Sequence, residues 1–347
     1  RPLPRSSRRM GTRGCAKLGG GRRAAAAAVR AAAGPESADG VVIYSEDLAL
    51  DGRPASVWYP AASGGEGSPL SGYRYVFSAR KLCSSVLGLP GFALGEKPET
   101  VTLPVAVNLR LGPAVALPSS AEPRCLRGVV LAHGLLCSRF DLAHVAEALA
   151  RRGFLVVAPE MPDSIGHPGG ASPLGALGEL FLQRADGEAS RRRIVEEAIV
   201  WLRGQGVVGI GLAGHSRGGV TASQLEGEFC RVNLAGFQPP QVEAGEYFSP
   251  SVRRAPMLVV CGREDEVCTR PPMSLDYVQQ TVREHAPHAE TWYPEGVGHF
   301  NVLDPRVISR WKDLLGPFGG LAPAADPSVA KQVGDRIADF LDKHVPG

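Results

Sequence analysis

The stretch that most constrains this chain is Val207-Val208-Gly209-Ile210-Gly211-Leu212-Ala213-Gly214-His215-Ser216-Arg217-Gly218-Gly219. An apolar run of strand character enters Gly214-His215-Ser216-Arg217-Gly218, and Val220, Thr221, Ala222, Leu225 and Phe229 follow in a helix-like pattern. Strand, sharp turn and helix with a serine at the apex describe a nucleophile elbow. There the serine backbone is strained, and strand and helix cross so closely that the positions two before and two after it must lack a side chain. The helix start behind Ser216 adds a positive dipole end and N–H groups where an oxyanion would develop. The five-residue pattern alone is weak in a chain with 43 glycines. Its flanking strand and helix give it weight, against the plain alternative of a Gly-Ser turn in a helical hairpin.

Around the elbow, short apolar runs alternate with amphipathic segments of ten to twenty residues. Strands are expected at Gly128–Ala132, Phe154–Ala158, Val232–Phe237, Pro256–Cys261 and Glu290–Tyr293, with helices at Ser138–Arg151, Ala189–Arg203, Ser274–His285 and Asp326–His344. Such alternation predicts right-handed crossovers and a mostly parallel sheet covered on both faces, with ligands bound beyond the carboxyl ends of the strands. Upstream, Val41–Leu48 and Ala55–Tyr59 read as a hairpin around Asp51-Gly52. Tyr73–Leu89 reads as a helix, Val101–Leu109, broken by Pro104, as an edge strand at best, and the Gly/Pro-rich residues 160–187 as a partial cover over the site.

A serine hydroxyl needs a base, and the base needs a group that holds its tautomer. After an elbow serine the expected order is acid, then histidine. His285 and His288 end a polar helix and His344 closes the last one, so His299, in Gly296-Val297-Gly298-His299-Phe300-Asn301 just past a strand, is the candidate base. The loop Gly262-Arg263-Glu264-Asp265-Glu266-Val267 follows a strand and supplies the acid. Asp265 is the assignment, with Glu264 and Glu266 as the neighbours that could replace it. Two donors for an oxyanion are expected in the backbone N–H groups of Arg217 and Leu135, the latter after Gly134 in His133-Gly134-Leu135-Leu136. His133 reads as a structural hydrogen-bonder, and His215 as packing beneath the elbow with no chemical role. No metal-ligand spacing and no phosphate loop occurs, so no cofactor and no metal is expected.

Nine of the 38 basic residues, and no acid, fall in residues 1–35. The remainder is therefore mildly acidic, which argues against nucleic acid as a partner. The Arg/Ala/Ser/Gly composition of residues 1–38 is that of an organelle transit peptide, with 39–347 as the folded domain. A chloroplast address is expected, with mitochondrion or cytoplasm as alternatives. The seven cysteines have no paired spacing and read as mostly buried thiols. No run approaches the ~18 apolar residues of a membrane span, which leaves room for peripheral membrane contact only. Nothing in the sequence sets the oligomeric state.

Taken together these residues resemble the α/β-hydrolase superfamily, and within it the platelet-activating-factor acetylhydrolase and chlorophyllase-like branch. The resemblance is carried by Val57-Trp58-Tyr59-Pro60, Leu131-Ala132-His133-Gly134-Leu135, Gly153-Phe154-Leu155-Val156-Val157-Ala158-Pro159, Leu212-Ala213-Gly214-His215-Ser216-Arg217-Gly218-Gly219 and Gly298-His299-Phe300-Asn301-Val302-Leu303-Asp304. The elbow string looks especially like the lipase motif of chlorophyllases. The resemblance implies an α/β-hydrolase fold with a small irregular cap. It also implies a serine carboxylic-ester hydrolase that acts on a small-molecule or lipid-like ester through Ser216, Asp265 and His299. The reading is most like a platelet-activating-factor acetylhydrolase. A chlorophyllase, which splits chlorophyll into chlorophyllide and phytol, is the alternative, and a non-catalytic binding protein of the same fold is the second. One place departs from the branch. The position after the strand that follows the elbow helix, Leu234-Ala235-Gly236-Phe237-Gln238-Pro239, holds no acid, and Asp265 takes that part, as in dienelactone-hydrolase-like and cutinase-like enzymes.

Overall fold

The computed structural model describes residues 41–61, 67–78, 99–113, 127–166, 185–238, 248–314 and 323–347. The expected leader, most of the expected cover (167–184), and Cys15, Cys83 and Cys125 lie outside the described residues. Strands β1 (Val42–Leu50) and β2 (Arg53–Pro60) form the expected hairpin. Asp51 and Gly52 both take positive φ, 49° and 69°, as a tight primed turn requires. After the short β3 (Ser68–Pro69), the segment predicted to start a helix at Tyr73 is instead strand β4 (Gly72–Phe77), paired antiparallel with β5 (Glu99–Pro104) in a separate two-stranded sheet. Tyr73, Tyr75 and Phe77 point inward and are fully buried while Arg74 is exposed, so the period is two and not 3.6. Leu82 and Leu87, which suggested the helix, lie outside the described residues.

Strand β6 (Leu109–Leu111) runs parallel to β1. The α/β alternation then follows as expected: β7 (Arg127–Ala132), α1 (Ala143–Arg151), β8 (Phe154–Pro159), α2 (Ala185–Gly204), β9 (Gly209–His215), α3 (Arg217–Gln224), β10 (Cys230–Leu234), β11 (Met257–Val260), α4 (Leu275–His285), β12 (Glu290–Trp292), α5 (Pro305–Leu314) and α6 (Pro327–His344). Helix α1 starts at Ala143, five residues later than expected, because Ser138–Asp141 form a turn closed by Asp141 N–H to Ser138 O. Helix α5 was not expected.

The main sheet has the order β12-β11-β10-β9-β7-β8-β2-β1-β6-β3. From β12 to β8 every pairing is parallel. Successive side chains of the central strands go to opposite faces. Val129, Leu131 and Val156 pack in one core with α1, α5 and α6 (Val145, Leu149, Ile308, Trp311, Ile337, Leu341). Val130, Ala132, Leu155 and Val157 pack in the other with α2 (Ile194, Ala198, Leu202). Each such fully buried aliphatic side chain is worth about 1.5–3 kcal/mol of burial. The expected two-faced, mostly parallel sheet is therefore what forms. Among the described residues, no helix is long and apolar enough to cross a membrane. Strand β7 is flanked by β8 on one side and β9 on the other. The order reverses there, which opens a crevice beyond the carboxyl ends of β7 and β9.

Candidate active site

Ser216 sits at that crevice, between β9 and α3, with φ 52° and ψ −123°. A left-handed backbone is costly for a residue with a side chain. Tight crossing on both sides imposes it. A Cβ on Gly214 would lie 2.2 Å from the Gly218 carbonyl, and one on Gly218 would lie 2.0 Å from the Ala132 oxygen. The Ser216 N–H still donates to Leu234 O at 2.8 Å, so the turn stays anchored to β10.

The loops after β11 and β12 bring Asp265 and His299 together. His299 Nδ1–H donates to Asp265 Oδ2 at 2.9 Å, with Oδ1 at 3.1 Å. Asp265 is fully buried, and its Oδ1 also accepts the N–H groups of Val267 (2.9 Å) and Cys268 (2.6 Å). Burial opposes ionisation of that carboxyl. The His299 bond and the backbone donors outweigh it and hold the acid below the usual carboxylate range. Glu264 is exposed, and Glu266 accepts the His299 backbone N–H at 3.0 Å. Neither takes the place of Asp265 at the ring.

His215 and His299 stack at an angle, with ring centroids 4.7 Å apart, and His215 Nε2–H donates to His299 O at 2.9 Å. The residue before Ser216 is thus in contact with the loop that carries His299. Burial pushes the His215 pKa down to about 3, so its ring is neutral, with a buried Nδ1 that has no hydrogen bond among the described residues.

On the β7 side, the expected oxyanion loop is held from beneath. His133 Nδ1–H donates to Gly134 O at 2.7 Å, and its Nε2 accepts Met161 N–H at 2.9 Å. Because the peptide unit is planar and trans, fixing the Gly134 carbonyl aims the Leu135 N–H the opposite way. Gly134 itself faces the elbow: a Cβ there would lie 3.2 Å from Ser216 Cβ and 3.2 Å from Cys137 Sγ. Leu136 takes φ 56° to close the turn. His133 Nε2 also lies 3.2 Å from Glu160 Oε1. In the tautomer that the Met161 contact sets, it has no proton to give that oxygen. Glu160 Oε2 instead accepts Arg139 Nη1 at 2.7 Å. Burial works against the Glu160 charge, and the Arg139 guanidinium beside it and the Ser164 hydroxyl favour it, holding the carboxyl down at about 2.

Arg217 opens α3, at the end where backbone N–H groups lack intrahelical acceptors. Its side chain turns to Glu188 and, at 3.3 Å, to Asp163. Asp163 also pairs with the fully buried Arg191, which donates to His133 O and, at 3.2 Å, to Thr221 Oγ1. Residues 160–166, where the expected cover begins, are packed against the site's supports. Glu160, Met161 and Ile165 are buried, and Asp163 ties α2 to the elbow and the β7 loop.

One group of metal-type ligands converges among the described residues. Atoms of Cys261, Asp265 and Cys268 lie within 4.8 Å of one another, all buried. Asp265 is already committed to His299. The hydrogen bond with Cys261 and burial push the Cys268 thiol well above its usual value, which favours a protonated sulfur.

The five expected site residues thus lie beyond the carboxyl ends of the strands: Leu135, Asp265 and His299 on loops, Ser216 at the elbow and Arg217 in the first turn of α3. What sequence reasoning missed is the supporting set: Glu266 and His215 on the His299 backbone, and Glu160, Met161 and Arg191 around His133. These partners meet only across separate strand ends.

No protein-family model and no curated protein matches this chain. Among solved structures it is similar to a ferulic acid esterase from Streptomyces cinnamoneus, with TM-score 0.53 and 20% identity over 90% of this chain and 92% of that one. It is also similar to a putative dienelactone hydrolase from Klebsiella pneumoniae, with TM-score 0.47 and 14% identity over 88% and 100% of the two chains. The likeness to the Streptomyces structure shows the fold alone, an α/β-hydrolase fold.

Proposed function

We propose that this chain is a serine carboxylic-ester hydrolase. The observation that carries the reading is the buried Asp265–His299 hydrogen bond on loops that meet the strained Ser216 elbow in the expected chain order. Ser216 Oγ attacks the ester carbonyl carbon while His299 Nε2 takes the hydroxyl proton. The carbonyl π pair moves to oxygen, and the N–H groups of Leu135 and Arg217 receive that charge. Collapse breaks the C–O bond to the alcohol, which leaves with the proton from His299. Water then attacks the acyl-enzyme, giving its proton to His299. The acid departs and Ser216 regains its hydrogen. Asp265 stabilises the imidazolium and holds its tautomer throughout.

The substrate reading is a lipid-like ester, most like that of a platelet-activating-factor acetylhydrolase, supported by the early Val57–Pro60 string and the residues around Leu135. The chlorophyllase reading is favoured by one specific observation, the Leu212–Gly219 string, together with the acid-free leader that we take as a plastid address. The Streptomyces neighbour adds a ferulate ester to the panel. The test is fluorophosphonate labelling of the full chain beside its Ser216→Ala variant, followed by hydrolysis of a 2-acetyl phospholipid, chlorophyll and a ferulate ester. Labelling of the parent alone supports the hydrolase. A folded parent that takes no label overturns it in favour of a binding protein of this fold.

A further inference from the structure

The ring of His299 accounts for one of its hydrogen-bond partners, Asp265. Its backbone accounts for two more, and both come from side chains. The N–H donates to Glu266 Oε2 at 3.0 Å, and the carbonyl accepts from His215 Nε2 at 2.9 Å. The loop that carries His299 needs such fixing. It enters through Gly296, at φ 71°, and Gly298. Glycines leave a loop more backbone freedom than other residues do. The Asp265 bond fixes only the ring, and the place of Nε2 relative to Ser216 depends also on the backbone frame beneath it. Gly298 approaches closely enough that a Cβ there would lie 3.0 Å from Glu266 Oε2. Consecutive acids therefore divide the work. Asp265 turns inward to the ring, while Glu266, exposed on its outer side, reaches the same residue's N–H. On the opposite side the carbonyl is pinned by the residue covalently joined to Ser216.

We infer that Glu266 is a positioning residue that clamps the His299 backbone against His215, setting the span between the serine and its base. This rests on His299 being the proton carrier. Without the Glu266 acceptor the loop frame drifts, and small misplacements of a reacting group are costly in rate while substrate binding is spared.

The test measures kcat and KM for p-nitrophenyl acetate, and the rate of fluorophosphonate labelling, for the full chain, Glu266→Ala, Glu266→Gln and His299→Ala. Glu266→Ala should lose about tenfold in kcat with KM unchanged within about twofold. Glu266→Gln should recover most of that loss, because its amide oxygen accepts the same N–H without the charge. The exposed position of Glu266 makes both variants compatible with folding, and equal thermal midpoints for the two would verify it. An unchanged kcat in Glu266→Ala, or an equal loss in Glu266→Gln, overturns the clamp. His299→Ala separates this from the reading beneath it: if that variant still turns over and labels like the parent, the base assignment fails, whatever Glu266 does.

Discussion

Two buried histidines beside carboxylates lie beyond the same sheet edge, and they are built for opposite ends. His299 has one ring nitrogen engaged, Nδ1 on Asp265, and among the described residues its Nε2 makes no hydrogen bond. His133 has both nitrogens engaged, Nδ1–H on Gly134 O and Nε2 on Met161 N–H, with Glu160 alongside. A ring with one nitrogen open can take and return a proton; a ring with both committed is a peg. The carboxylates differ accordingly. Asp265 faces the N–H of its histidine, so its charge is useful when a proton arrives. Glu160 is neutralised by Arg139, and its histidine serves a backbone carbonyl. Proximity of a carboxylate to an imidazole therefore does not identify a base; the inventory of both ring nitrogens does.

The largest effects test that difference directly. His299→Ala should lower turnover by about 10⁴-fold or more, as Ser216→Ala should, with the fold intact by circular dichroism. Asp265→Asn should cost somewhat less, about 10³- to 10⁴-fold, because the backbone donors and substrate binding persist. Glu264→Gln should leave initial rates unchanged. If Glu264→Gln inactivated while Asp265→Asn did not, the acid would have to be reassigned.

His133→Ala is the intermediate case. It leaves the Gly134 carbonyl and Met161 N–H without their partner and frees the peptide that aims the Leu135 N–H. Stability in urea should fall by about 2–4 kcal/mol, and kcat by about 10²-fold, the order expected for one oxyanion donor lost. Unlike His299→Ala, it should still label with a fluorophosphonate, slowly. Loss of labelling to the level of His299→Ala would break the distinction between base and peg.

The parts of this arrangement legible in the sequence are those set by local sterics or chain order. Gly214 and Gly218 are required by backbone crossing within a few residues, and Asp265 and His299 by their order after Ser216. Asp265 rather than Glu266 turns inward because it caps its own turn, accepting the N–H groups of residues two and three ahead; that signal lay in the shorter side chain. The strand at Gly72–Phe77 was also readable, since Tyr73, Tyr75 and Phe77 alternate, but Leu82 and Leu87 drew the pattern toward a helix. Helix α5, which the sequence reading passes over, has a local signal in Asp304-Pro305, a cap residue followed by a proline in the first turn, and Asp304 Oδ1 accepts Arg306 N–H at 2.9 Å. Glu160 with His133, and Glu266 with His215, were not readable. Each joins strand ends that only the sheet order brings together.

The smallest effect is a slope. Held at about 2 in the fold against an ordinary 4.5, Glu160 binds its proton less readily folded than unfolded. Its charge therefore contributes stability that is fully present above the unfolded value and is lost as pH falls from about 4.5 through about 2. Glu160→Gln should lower the urea midpoint at pH 7. Between pH 4.5 and 3 it should decline less steeply than the parent, so that the two curves converge. Asp265→Asn should behave in the same sense, because that carboxyl too is held below its usual range. What separates the pairs is activity: in the Glu160 variant turnover should change only as far as the Gly134 peptide is disturbed, while in the Asp265 variant it collapses. A gap between parent and Glu160→Gln that stays constant from pH 7 to pH 3 would mean that Glu160 titrates alike in the folded and unfolded chain, and that its surroundings do not stabilise its charge.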